Sequence, residues 1–270
     1  MDVYQKTRRF YERAHTEKRI IGRSLFGRDI FAVKIGTGRP IGIAQYAIHG
    51  REYITTELAF AQYSVGVGKG SLWILPLVNP DGALLSQTGL RSVEKQEDKA
   101  RLLRWNKGED FSLWKANGRG VDLNVNFSAR WGEGEKNSKT IGPENYIGEY
   151  PFSENETLAL KNFTEEIAPD YTVSYHTKGE EIYWYFYQPR KACIRDFSLA
   201  KALSKSTGYP LVFTGNSVGG YKDWCIQSLG IPSFTIEVGK DRYSHPLREE
   251  ALEDILTKNR YALYGLSKEF

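Results

Sequence analysis

Ile41-Gly42-Ile43-Ala44-Gln45-Tyr46-Ala47-Ile48-His49-Gly50-Arg51-Glu52 is the stretch whose reading decides the fold. Its first eight residues are almost continuously apolar, the pattern of a strand buried on both faces of a sheet. An imidazole and a carboxylate follow, three positions apart, where the strand stops and a helix over Glu52 to Tyr63 is expected to start. A catalytic zinc takes three protein ligands, often two His and one Glu, and keeps a fourth position for water. His-x-x-Glu in the turn after a strand aims two such ligands at one point. The tetrapeptide is common, so its meaning rests on whether the chain supplies a third ligand, a base and an oxyanion donor.

Outward from this stretch, strand and helix signals alternate. Residues 3 to 15 carry apolar side chains at helical spacing, with His15 read as a surface or capping residue. Arg19 to Phe26 and Asp29 to Ile35 read as strands around the Gly27-Arg28 turn, and Leu72 to Val78 as a second buried strand. Strand, helix, strand is the signature of an α/β sheet. Asn79-Pro80-Asp81-Gly82 reads as a turn. Residues 106 to 155 are rich in Gly, Asn and Ser, and a stretch of this kind inside a domain is either functional or disordered. The apolar patch Val121 to Phe127 predicts order there. Helices are expected over Glu156 to Ala168, Phe197 to Ser206, Tyr221 to Leu229 and Arg248 to Phe270, and strands over Tyr171 to Tyr175, Ile182 to Tyr187 and Ser233 to Glu237.

Composition narrows the function classes. Of 270 residues, 40% are hydrophobic and 26% charged, which is globular rather than disordered. The net charge of +4, from 37 basic and 33 acidic residues, is too small to argue for nucleic acid. No run approaches the ~18 apolar residues of a membrane span, and Met1 to Lys6 lack a secretory pattern, so a cytoplasmic location is expected. Cys193 and Cys225 are too few for a disulfide scaffold or a thiolate zinc knot; two buried free thiols are expected, with one bridge as the alternative.

Only four histidines occur, and two of them, His49 and His176, stand at predicted strand ends, where α/β proteins place their sites. Ser233-Phe234-Thr235-Ile236-Glu237 delivers a carboxylate at a third strand end. Arg119 has glycine on both sides, where the backbone can bring it close to a ligand.

In this order, His49-Gly50-Arg51-Glu52, Asn79-Pro80-Asp81-Gly82, Asn117-Gly118-Arg119-Gly120-Val121-Asp122-Leu123-Asn124, His176 and Phe234-Thr235-Ile236-Glu237 resemble the motifs of zinc carboxypeptidases of the carboxypeptidase A type. The resemblance implies one catalytic domain over residues 1–270, with a twisted, mixed eight-stranded α/β sheet flanked by helices. It implies one zinc per chain on His49, Glu52 and His176, with Glu237 as general base and Arg119 facing the oxyanion.

The chain departs from the family's pattern in two places. The family usually has an Arg after the motif's Asn to hold a substrate carboxylate; here Asn124 is followed by Val125, and a valine cannot bind an anion. Arg130, Lys178, Lys222 and Lys240 are the candidate replacements. The family's mobile Tyr has no match at Thr214-Gly215-Asn216-Ser217, which leaves Tyr221 or Tyr183 to stand in. These departures, with the segments 176–184 and 219–225, resemble bacterial γ-D-glutamyl-L-diamino acid peptidases, which cut peptidoglycan stem peptides. Asn124, Val125, Lys178, Tyr221 and Lys222 are then the expected substrate contacts, and the partner is a peptide or muropeptide. An ordinary metallocarboxypeptidase, an amidase or deacylase, and a non-catalytic peptidoglycan-binding protein are the competing readings.

Overall fold

The computed structural model describes residues 1–213 and 217–270. The elements run α1 (Val3–Arg13), β1 (Lys18–Arg23), β2 (Asp29–Gly36), β3 (Ile41–Tyr46), α2 (Thr55–Val65), β4 (Ser71–Leu75), α3 (Pro80–Thr88), α4 (Gln96–Asn106) and α5 (Asn155–Ile167). They continue with β5 (Tyr171–His176), β6 (Glu181–Tyr183), α6 (Arg190–Thr207), β7 (Leu211–Val212), α7 (Tyr221–Leu229), β8 (Ser233–Glu237), α8 (Glu249–Asn259) and α9 (Ala262–Ser267). The strands form one mixed eight-stranded sheet in the order β1-β2-β4-β3-β5-β8-β6-β7. β3 is parallel to both β4 and β5, and β5 is parallel to β8, so the carboxyl ends of β3, β5 and β8 lie side by side.

Both faces of the sheet are covered, which is why its central strands read as unbroken apolar runs. Ala44, Tyr46, Val173, Tyr175, Phe234 and Ile236 pack with α2, α6 and α8 on one face. Ile43, Trp73 and Leu75 pack with Leu160 and Phe163 of α5 and with Trp224 and Ile226 of α7 on the other.

Several boundaries differ from the sequence expectation for identifiable reasons. β3 ends at Tyr46 rather than Ile48, because Ala47 adopts φ 50° and its N–H bonds the Thr55 hydroxyl at 3.0 Å, outside any ladder. A left-handed alanine costs about 1 kcal/mol, and it turns the chain so that His49 and the short 3-10 turn Gly50–Glu52 leave the sheet. α2 therefore starts at Thr55. Asn79-Pro80-Asp81-Gly82 opens a helix: the Asn79 side chain accepts from the Gly82 N–H at 2.8 Å and Pro80 sits in the first turn. α4 escaped prediction because Leu102 is its one fully buried residue. β6 stops at Tyr183 because its partner β7 offers only two residues. The closing helix breaks into α8 and α9 where the Asn259 carbonyl accepts from Gln62 Nε2 at 2.8 Å. Both cysteines are free, Cys225 buried and Cys193 half-buried.

The Gly-rich segment is ordered by buried polar side chains. Asn117 Nδ2 donates to Glu154 at 2.8 Å and Glu156 at 3.3 Å, while its Oδ1 accepts from the amides of Arg119 and Val121, each at 3.0 Å. Burial, with Asp81 and Glu154 nearby, pushes the Glu156 carboxyl up to about 8. Asn126 donates to the carbonyls of Ile147 at 2.8 Å and Tyr150 at 3.1 Å.

Asn79 links three segments around the turn at residue 49. Besides capping α3, its Nδ2 donates to Ile48 O at 3.0 Å and Ala116 O at 3.1 Å, all of it buried. Asn79→Ala leaves two buried carbonyls and an amide unpartnered and is expected to cost about 2–4 kcal/mol. The check is a urea unfolding curve with a lowered midpoint at unchanged slope.

Candidate metal centre and cleft

His49 caps the 3-10 turn, Glu52 is its last residue, and His176 is the last residue of β5. The sheet register thus brings together residues far apart in the chain. His49 Nδ1 lies 2.9 Å from one oxygen of Glu52, His176 Nδ1 lies 3.0 Å from the other, and the two ring nitrogens are 3.1 Å apart. All three residues are buried. Burial opposes the charge on Glu52, but the two imidazoles overcome it and hold its carboxyl well below the usual range. Burial likewise opposes the charge on His49, and Glu52 and Asp122 outweigh it, raising the imidazole.

Two imidazole nitrogens and a carboxylate on a triangle of this size fit a zinc ion. Bonds of about 2.0–2.1 Å in a tetrahedral shell place ligands roughly 3.3 Å apart. Nitrogen and oxygen donors with one negative charge are also the chemistry of an open catalytic zinc site. His49 has a partner behind it: its Nε2 lies 3.2 Å from Asp122 Oδ1, an ion-pair distance without full hydrogen-bond alignment. A carboxylate behind a ligating histidine orients the ring and raises its basicity.

Glu237, last residue of β8, pairs in register with His176. It shares with His49, His176, Asn124, Val125 and Lys222 the walls of a cleft of about 380 Å³. Its Oε2 is shut off from solvent and has no hydrogen-bond partner among the described residues. Burial pushes the Glu237 carboxyl up to about 7, His176 working against the rise and Glu52 with it. A carboxylate poised near neutrality in a cleft is what a general base requires.

The structure separates the remaining expected site residues. Asn124 and Val125 line the cleft, and the Asn124 side-chain Oδ1 accepts from the Tyr221 backbone N–H at 3.2 Å. Lys222 also lines it, its amine donating to Tyr185 O at 3.0 Å and ion-paired with Asp223. Tyr221, by contrast, is fully buried in the core with its hydroxyl 2.8 Å from that of Thr164, so it is not a substrate contact. Lys178 lies outside the cleft walls and donates to Asp241 O at 2.7 Å. Arg119 is likewise absent from the walls of this cleft. Its amide is held by Asn117, its Nε is 3.4 Å from Glu154, and it lines a separate cleft of about 430 Å³ with Phe26, Arg28 and Trp105. That larger cleft contains no metal-ligating cluster among the described residues.

Of the other candidate cations, Arg130 pairs with Glu133 over the Tyr187 ring, and Lys240 pairs with Asp254. Tyr183 lines the cleft and donates to Glu181 at 2.9 Å; Thr214, Gly215 and Asn216 lie outside the described residues. His245 is half-buried, its Nδ1 3.4 Å from the Thr177 hydroxyl. Two residues at the site were not assigned from the sequence: Asp122, buried behind His49, and Lys115, on the cleft wall. Asp122 was quoted within a motif without a role. Lys115, two residues before that motif, carried no signal at all.

Comparison with known proteins agrees with this geometry. Residues 4–262 match the zinc carboxypeptidase family, and the chain belongs to that family. It is 33% identical over 251 residues to gamma-D-glutamyl-L-diamino acid endopeptidase 1 of Lysinibacillus sphaericus, covering 85% of this chain and 62% of that protein. The chain therefore spans about three-fifths of that relative. Murein peptide amidase A of Escherichia coli K12 is 29% identical over 220 residues, covering 76% of this chain and 74% of that one. Among solved structures, bovine thrombin-activatable fibrinolysis inhibitor superposes with a TM-score of 0.76 at 20% identity over 100% of this chain and 96% of that chain, which speaks for the fold. The murein-tripeptide amidase of Escherichia coli O157 gives 0.63 at 25% identity over 95% of each chain.

Asp122→Asn removes the charge behind His49 while keeping the side-chain shape. Zinc affinity is expected to fall ~10–100-fold, measured by competition with a chromophoric chelator. His176→Ala, measured alongside, should abolish stoichiometric binding.

Proposed function

We propose that residues 1–270 form one catalytic domain, a zinc-dependent peptidase that hydrolyses the γ-D-glutamyl–diaminopimelate bond of peptidoglycan stem peptides. One zinc per chain would be held by His49, Glu52 and His176. The observation that carries the reading is the cleft in which the two histidines of this triangle, Glu237 and the Lys222–Asp223 pair meet. The names of the Lysinibacillus and Escherichia relatives support the substrate class.

The bound zinc would lower the pKa of a water toward ~7 and polarise the scissile carbonyl. Glu237 takes the proton of the attacking water and delivers it to the departing amine nitrogen as the C–N bond breaks. Diaminopimelate carries an ammonium and a carboxylate at its far end. Lys222 and Asp223, side by side on the cleft wall, offer one charge for each. Val125 adds an apolar wall where an arginine would fix a C-terminal carboxylate, which is the ground for preferring this substrate over an ordinary peptide.

The decisive experiment is mass spectrometry of L-Ala-γ-D-Glu-meso-diaminopimelate after incubation with zinc-loaded protein, beside a hippuryl carboxypeptidase substrate. Release of diaminopimelate only, with a loss of ~10²–10⁴-fold in Glu237→Gln, is expected. Cleavage of the hippuryl substrate alone would instead assign an ordinary metallocarboxypeptidase.

The pH profile follows from the base. Glu237 works deprotonated, so activity falls as pH drops through its pKa. Burial raises that value to about 7, and a dication beside it lowers it again. The acid limb of kcat/KM is therefore expected at or below about pH 7, with unit slope, and absent from the residual activity of Glu237→Gln.

A further inference from the structure

β6 carries the chain from the cleft onto an exposed row of rings. Tyr183 lines the cleft, and Trp184, Tyr185, Phe186 and Tyr187 follow it directly. Trp184 and Phe186 turn inward and are buried, while Tyr187 is 54% exposed. Phe213, next after β7, is 66% exposed and stacks on Tyr185 with ring centroids 4.1 Å apart at 27°. Tyr185 meets Tyr187 at 5.7 Å, and the Arg130 guanidinium, its Nε 2.8 Å from Glu133, stands over the Tyr187 ring at 4.9 Å. Burial would stabilise each of these rings, so a row of them left in water marks a surface that meets something else. The row is also built against local preference. Tyr187 at φ 52° and Arg130 at φ 50° are both left-handed, a conformation that side chains disfavour and that collects at functional positions. Buried Gln188 holds the turn: it accepts from the Phe186 N–H at 2.6 Å and donates to Trp184 O at 3.1 Å and Asp196 at 3.0 Å.

We propose that Phe213, Tyr185, Tyr187 and Arg130 form a stacking surface for the sugar rings of the peptidoglycan glycan strand. The chain then grips glycan while the cleft takes the stem peptide, a substrate class that rests on the peptidase reading above. Continuity with the cleft carries the assignment. Tyr185 is two residues, at most ~7 Å of chain, from Tyr183 on the cleft wall. Its carbonyl accepts from Lys222, another wall residue, at 3.0 Å. Ser217 and Val218, shortly after Phe213, and Gly134, shortly after Arg130, line the cleft as well. Stem peptides are covalently attached to a linear strand of pyranose rings, so a polymer whose peptide enters the cleft brings sugars to its rim. The faces of a pyranose are C–H surfaces that lie flat on an aromatic ring, and its hydroxyl and acetamido oxygens accept from a guanidinium. A row of rings ending in a cation matches that chemistry.

The test uses the zinc-loaded chain with glycan strands stripped of peptide, with free L-Ala-γ-D-Glu-meso-diaminopimelate, and with the same tripeptide still attached to glycan strands. The wild type is expected to sediment with stripped strands, and Phe213→Ala and Tyr187→Ala each to weaken that binding about tenfold. Phe213→Tyr, which keeps the ring, should bind as the wild type does. Both alanine variants should raise KM on the strand-attached peptide about tenfold and leave kcat/KM on the free tripeptide unchanged. Equal losses on the two peptides would put the rings in the cleft's own machinery and overturn the proposal. So would stripped strands that the wild type does not bind, or binds as well as both alanine variants do. A wild-type dimer in sedimentation velocity that Phe213→Ala dissolves, with no glycan bound, would assign the row to a second copy of the chain and likewise overturn it. If neither peptide is cut while stripped strands bind and both alanine variants release them, the peptidase reading fails and the stacking surface stands.

Discussion

The parallel register of β3, β5 and β8 is the constraint on which the site depends. Backbone hydrogen bonds set Tyr46 beside Tyr175 and His176 beside Glu237. A slip of one residue would reverse which face each side chain meets and put the imidazole of His176 into the packed core. The two buried faces of the sheet hold that register, since Val173 and Tyr175 point to one core and Leu75 and Ile43 to the other. The chemistry is thus placed by hydrophobic packing several residues away from it.

Burying so many charges within one cleft edge is costly unless each is paired. Glu52 is shared by two imidazoles, and Asp122 is shared by His49 and Lys115. Burial resists the charge on Asp122, but Lys115 and then His49 keep its carboxyl well below the usual range. Glu237 is the exception, with a buried oxygen that no side chain among the described residues satisfies. The same logic governs the Gly-rich segment, where Asn117, Asn126 and buried acids stand in for an apolar core.

The sequence by itself carried most of the framework. The apolar runs of β3, β4, β5 and β8 read as buried strands, and the boundaries of α7 and β8 were legible because Gly220, Gly230 and Pro232 punctuate them. His49 and His176 stood out because only four histidines occur and both fall at strand ends, whereas Glu52 and Glu237 were picked out by the motifs that resemble those of zinc carboxypeptidases. Local signals misled where a side chain from elsewhere captured the backbone, as with Thr55 at Ala47 and Gln62 at Asn259.

What the tertiary structure alone decided is which charges face the cleft. Tyr221 and Lys222 are neighbours on one helix, yet the first fills the core and the second meets the cleft, because successive helical residues point about 100° apart. Arg119 and Lys115 stand four positions apart in an irregular segment; Asn117 holds the Arg119 amide beside Glu154, while backbone bonds to Gly50 and Pro143 hold Lys115, whose amine pairs with Asp122. No local periodicity governs such a segment. The direction of each side chain is set by long-range hydrogen bonds, which sequence position does not encode.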